Sequence, residues 1–210
     1  MEDTDAWIRY PSLRKWFDKL YLANTLGYNC GPSGLSPSVS SYYCVRPIYN
    51  LSGMGVGARK QWIQAGDTSS VEPGYFWCEW FDGTQRSITY KRFDDTLEQT
   101  SCFIGHRDCE NLYRFKKWER CDFDYSIPDS LFLELMKSDF QVLNVEIIDD
   151  KIIELHFRDS PDPVTDEFIP IWYGEEYLVD RYTKIGYKWI ESMDDANGYL
   201  PVHRLGFMVK

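Results

Sequence analysis

Apolar residues broken by polar ones at short intervals mark residues 142–158, VLNVEIIDDKIIELHFR, as two strands around the turn DDK. Asn144, Glu146, Glu154, His156 and Arg158 interrupt the apolar runs. After Pro11 the spacing changes. Leu13, Trp16, Phe17, Leu20 and Leu26 recur near the helical period, and Gly27 suits a C-terminal stop. IPDSLFLELMKSDF predicts a second helix, with Asp129 or Ser130 near its start. YYCVRPIYNL and ARKQWIQ read as strands on either side of a glycine segment. YFWCEWF and RSITYKRF, separated by DGTQ, read as a hairpin over residues 75–93. Residues 94–124 show no dominant period. The stretch 160–210, with prolines at 161, 163, 170 and 201, reads as irregular. Helix, strands, helix and hairpin in that order predict an α+β fold.

A chain of 210 residues makes one good-sized domain or two small lobes sharing a cleft. Hydrophobic content of 43% and aromatic content of 17% exclude a disordered tail and predict a core rich in large rings. The net charge of −10 weighs against nonspecific nucleic-acid binding. An anionic ligand would need its own positive pocket or a metal ion. No apolar run approaches the ~18 residues of a membrane helix, and the acidic start MEDTDAW predicts no signal peptide. Six cysteines, at 30, 44, 78, 102, 109 and 121, form no Cys-x-x-Cys pair. They read as reduced thiols, and the expected setting is the cytoplasm.

Two segments could carry chemistry. In CVRPIYNLSGMGVGA, residues 44–58, Gly53, Gly55 and Gly57 follow a strand that holds Arg46. Glycine lets backbone amides approach an anion without a Cβ clash, and Arg46 could add a planar charge. The same glycines would serve a plain hairpin turn, and the segment alone does not decide. In the 142–158 hairpin, Glu146 and Glu154 stand near one another on opposite strands. Side by side they repel, and a hard cation such as Mg²⁺ would relieve them. The alternative puts both on a solvent face beside Arg158 or Lys151. Other signals are weaker. His106 and His203 lack metal spacing, and Ser52 is not in a Gly-x-Ser-x-Gly elbow. The run RFKKWERCDFD reads as a solvated segment in which Arg114, Lys116 and Lys117 could hold an anion.

Taken in order, DKLYLANTLGYNCGPSG, VRPIYNLSGMGVGA, CEWFDGTQRSITY and NVEIIDDKIIELHFR resemble the core of the ATP-grasp superfamily over roughly residues 18–158. The resemblance implies two small α+β lobes with antiparallel sheets enclosing a nucleotide cleft. Residues 36–93 would form the glycine-loop lobe, and 94–210 with 1–35 the metal-hairpin lobe. It implies ATP and Mg²⁺, with Lys19 and Arg46 on the phosphates and Gly53, Gly55 and Gly57 closing over them. Cys78, Glu79 and Phe81 would border the adenine, and Gln85 would stand at the ribose. Glu146 and Glu154 would hold the metal with His156, and Arg158 would be a further catalytic cation. The implied activity joins a carboxylate to an amine or another nucleophile through an acylphosphate.

There are departures. Arg46 replaces a lysine, Gln85 an acidic residue and His156 an asparagine, and only 17 residues precede Asp18 where the family has a further domain. These favour the alternative, a noncatalytic binding or assembly module derived from the same fold. The trimmed form resembles ATP-grasp relatives carried by bacteriophages.

Overall fold

Side chains alternate across a strand, so one register decides which residues of a hairpin see the core and which see the opposite face. In the computed structural model, which describes residues 2–51, 55–107, 111–160, 162–191 and 204–210, the expected late hairpin forms as Val142–Ile148 paired with Lys151–His156. Leu143, Val145, Ile147, Ile152, Leu155 and Phe157 are buried in the main core. The residues between them, Asn144, Glu146, Glu154 and His156, therefore share the other face.

Along the chain the elements are α1 (Asp3–Arg9), a 3₁₀ helix (Pro11–Phe17), α2 (Lys19–Thr25), β1 (Cys30–Pro32), β2 (Ser41–Pro47), β3 (Arg59–Ile63) and β4 (Tyr75–Glu79). There follow β5 (Gln85–Phe93), β6 (Thr96–Arg107), β7 (Phe115–Arg120), α3 (Asp129–Leu135), β8 (Val142–Ile148), β9 (Lys151–His156), β10 (Glu167–Trp172), α4 (Tyr177–Thr183), β11 (Lys188–Glu191) and β12 (Arg204–Val209). Among the described residues two sheets result, in the orders β1-β4-β2-β3 and β11-β12-β10-β7-β6-β5-β8-β9. Every pairing is antiparallel. The α+β expectation holds.

The first helical stretch does not run through as one helix. Asp18 leaves the helical region, and its Oδ1 accepts from the Tyr21 amide at 2.7 Å. That cap starts a new helix at Lys19. Leu13, Trp16, Phe17 and Leu22 pack with Leu131 and Leu135 of α3 against the apolar face of β8 and β9.

The expected 75–93 hairpin is corrected. β4 pairs with β1 and β2, whereas β5 pairs with β6 and β8 in the larger sheet. The chain turns away after Glu79 because Glu79 is tied to Asn29: its amide donates to the Asn29 carbonyl at 2.8 Å, and its carboxylate accepts from the Asn29 amide at 3.0 Å. Sheet membership thus changes between Glu79 and Gln85, and β5 lies in the larger sheet. Residues 94–124 contain the β6–β7 pair.

The stretch from 160 onward is also more regular than expected, with β10, α4, β11 and β12. Pro170 is tolerated in β10 because β7 pairs with that strand only at Glu167 and Phe168. Pro161 and Pro201 lie outside the described residues.

β11, an edge strand of the larger sheet, depends on a close backbone approach. A Cβ on Gly206 would meet the Ile190 carbonyl oxygen at 2.3 Å and the Trp189 ring at 2.6 Å. Gly206→Ala is expected to loosen β11 from β12 at a cost of about 1–3 kcal/mol. Amide exchange would rise at 188–191 and stay slow in β8. Unchanged protection of 188–191 would contradict the contact.

Candidate functional site

Lys19 is the first residue of α2, and its amide donates to the Ile48 carbonyl at 3.0 Å, fixing the helix start against the end of β2. From there Nζ reaches Glu154 Oε1 at 2.6 Å, with both residues buried. Arg46 approaches from the smaller sheet. Its guanidinium lies over the Phe76 ring at 5.3 Å, and Nη2 donates to the Ile153 carbonyl at 2.8 Å. That carbonyl is free for a reason. The β8–β9 register pairs Glu146 with Glu154 but Ile147 with Ile152, so Ile153 is the extra residue of a bulge. The bulge turns a main-chain acceptor toward Arg46 while keeping the two glutamates opposite each other. Lys19 and Arg46 therefore join the smaller layer to the face of β9.

The glutamates differ in their surroundings. Glu146 Oε2 accepts from Gln85 Nε2 at 2.8 Å, and Gln85 Oε1 in turn accepts from Arg107 Nη2. Burial pushes the Glu146 carboxyl up, and the charge of Glu154 pushes it further. Burial would raise Glu154 too, but Lys19, then His156 and Arg46, outweigh it and hold that carboxyl low. The pair thus leaves Glu154 ionised and Glu146 the easier to protonate.

His156 Nδ1 lies 2.9 Å from Asp3 Oδ2, and its Nε2 faces Glu154 Oε1 at 3.6 Å and Glu146 Oε1 at 4.0 Å. Arg158 grips the same aspartate with Nε at 2.9 Å and Nη2 at 3.0 Å. Asp3, His156 and Arg158 are all buried. Although burial favours neutral Asp3, His156 and Arg158 hold its pKa down at about 2. Burial would likewise lower His156, but Asp3 and Glu154 raise it. Lys19, Arg46, Arg107, Arg158 and a readily protonated His156 thus gather around Asp3, Glu146 and Glu154. Asp162 also acts on Glu146 and Arg158, and Glu2 on Arg158, so cations and carboxylates interleave here.

The remaining expected residues are placed as follows. Gly53 lies outside the described residues. Gly55 and Gly57 have φ of 61° and 87°, and the segment joins β2 to its antiparallel partner β3. Glycine is required at 57, where a Cβ would also meet Tyr75 Oη at 2.8 Å. At Gly55 an added Cβ would lie 3.8 Å from the Tyr113 Cβ, so the segment reaches the β6–β7 connection of the larger sheet. Cys78 packs with Ala23 and Phe76, and burial pushes its thiol up to about 12. Glu79 is tied to Asn29, and Phe81 meets the Tyr28 ring edge-on at 4.9 Å.

Two site residues are missing from the sequence reading. Asp3 belongs to an acidic start with no pattern of a site, and Arg107 lies in the stretch without a period. Neither carries a local motif.

No family profile matches the chain, and no curated protein does. Solved structures do. Carboxyaminoimidazole ribonucleotide synthase from Aspergillus clavatus, complexed with ATP, aligns over 94% of this chain and 69% of its own, with 9% identity and a TM-score of 0.62. N5-carboxyaminoimidazole synthase from the same organism, in complex with ADP and 5-aminoimidazole ribonucleotide, aligns over 94% and 68%, with 8% identity and a TM-score of 0.58. A protein from Archaeoglobus fulgidus assigned to the ATP-grasp superfamily shares 15% identity over 71% of this chain, with a TM-score of 0.44, a likeness too loose to argue from. This chain spans about half the length of the Archaeoglobus protein and just over two-thirds of the Aspergillus enzymes. No helix among the described residues is long and apolar enough to cross a membrane. At these identities the likeness shows the fold alone: an α+β chain with antiparallel sheets, arranged as in the two Aspergillus enzymes.

Proposed function

We propose that the chain is an ATP- and Mg²⁺-dependent ligase that joins a carboxylate to an amine or another nucleophile through an acylphosphate. The observation that carries this reading is the meeting of Lys19 and Arg46 with Glu154 and the Ile153 carbonyl across the two layers. Fixed cations on one side and carboxylates on the other are what a transferring phosphoryl group requires. The ATP named with the first Aspergillus enzyme supports a nucleotide as the ligand.

Lys19 and Arg46 then bind phosphate oxygens, and Gly53, Gly55 and Gly57 cover them. Cys78, Glu79 and Phe81 border the base. Gln85, expected near the ribose, also orients Glu146. Arg158 acts through Asp3, holding His156 in place. Free thiols suit the cytoplasmic setting.

Glu146 and Glu154 fit Mg²⁺. They are carboxylates directly opposite on one face, and the charge of one pushes the other up. Bound there, the ion would offset charge on the phosphates. Among the described residues no three side chains are spaced to hold a metal. Phosphate and water would complete the shell, as is usual for Mg²⁺. His156 fits the ion less well, since Asp3 favours its cationic form.

That same Asp3–His156–Arg158 network favours the second reading, a noncatalytic module in which the buried charges serve only the fold. Thermal melting separates the two. With ATP and Mg²⁺ at a hundredfold excess over the dissociation constant, binding adds roughly 2.7 kcal/mol, a rise of about 5–10 °C for a chain of this size. The rise should need Mg²⁺ and vanish in Glu146→Gln, whose amide can still pair with Gln85. No shift at millimolar ATP would favour the noncatalytic module.

A further inference from the structure

Five cysteines are free thiols among the described residues, and two of them touch. Cys102 in β6 and Cys121 just after β7 stand one step beyond the Phe103–Arg120 pair of that ladder. The Cys121 amide donates to the Cys102 carbonyl at 2.9 Å, and the two Sγ atoms are 3.3 Å apart. Cys102 is buried in the main core, whereas Cys121 is partly exposed at its margin. An inner thiol behind a reachable one, sulfurs in contact and backbones already paired, is the arrangement that thiol–disulfide exchange needs.

We propose that Cys102 and Cys121 are a reversible redox pair, converted by a low-molecular-weight disulfide into a cross-strand bond that ties β6 to the segment after β7.

Cys121 loses its proton to solvent, and its thiolate attacks one sulfur of oxidised glutathione. A mixed disulfide forms and one glutathione thiolate leaves. Cys102 then gives up its proton and attacks Sγ of Cys121, forming the Cys102–Cys121 bond and releasing the second glutathione. Two electrons pass from the protein dithiol to the glutathione disulfide, so no other oxidant is required. Burial, helped by the hydrogen bond and charge of Cys121, pushes the Cys102 thiol up to about 12, which makes it the second nucleophile.

The ring so closed contains Arg107 and Arg114, whose guanidiniums hold Gln85 and Glu175. Oxidation would therefore pin the hairpin that brings Arg107 to Gln85, the partner of Glu146, whatever the chain's activity proves to be.

The full chain, equilibrated in reduced and then oxidised glutathione, is read by thiol titration in denaturant, by non-reducing tryptic mapping and by melting. Oxidation should remove two of the six thiols and link peptide 93–107 to peptide 121–137, each of which has one cysteine. The melting temperature should rise on the order of 5 °C and return on reduction. Cys121→Ser, at the more exposed position, should keep its five thiols and show no rise. Cys30 and Cys44, both cross-strand partners of Cys78, are the internal comparison. The proposal is overturned if all six thiols survive oxidation. It is equally overturned if glutathione stays on Cys121, or if the linked peptides carry any other pair.

Discussion

Replacing Glu154 by glutamine should lower stability by about 3–5 kcal/mol, because it strands a buried ammonium without its counter-charge. Lys19 and Glu154 are 4% and 9% exposed and 2.6 Å apart, so water offers Lys19 little replacement. The reciprocal change, Lys19→Met, should cost less, about 1–3 kcal/mol. Glu154 would keep His156 at 3.6 Å and could take up a proton. In the double variant neither charge remains unpaired. The two single losses should then exceed the double loss by at least about 1 kcal/mol. Urea unfolding at neutral pH, with slopes compared across the four proteins, measures this cycle. Additive losses would mean that the two groups do not sense each other. The result also bears on the proposed function, since an activity lost in Glu154→Gln could reflect a lost fold. Glu146→Gln is the cleaner variant for nucleotide binding, because Glu146 is partly exposed and keeps a partner in Gln85.

The elements legible in the sequence are those whose pattern is local. The β8–β9 hairpin advertises itself through apolar runs around DDK, and its two glutamates could be placed opposite each other before any coordinates. The bulge at Ile153 could not, yet it determines where Arg46 finds an acceptor. β4 and β5 look like a hairpin because a short polar turn separates two apolar runs. What sends them to different sheets is the bond between Glu79 and Asn29, 50 residues apart. β10 and β12 were hidden by the prolines around them, although Pro170 sits where no neighbouring strand needs its amide. The site repeats this division. Lys19, Arg46, Glu146, Glu154 and His156 occupy motif positions and do converge. Asp3 and Arg107 act over long separations, and no motif announces them.

Asp3 should therefore control the acid limb of the stability curve although it lies far from the hairpin in sequence. Its carboxyl falls from the ordinary 3.8 to about 2 in the folded chain, worth roughly 2 kcal/mol. Because the folded value is the lower one, this contribution is complete above about pH 4 and disappears as the pH falls to about 2. His156 runs the other way. Its folded pKa is raised, so its contribution is complete below the ordinary 6.5 and fades as the pH climbs through the folded value. Asp3→Asn keeps the shape and removes the charge that both Arg158 and His156 rely on. It should cost about 2 kcal/mol at neutral pH, flatten the acid limb and move the His156 titration downward. Urea melts from pH 2 to 8 and the proton NMR titration of His156 read the two effects separately. An acid limb that survives in Asp3→Asn would assign it to another carboxylate. An unmoved His156 titration would mean that Glu154 rather than Asp3 sets its charge.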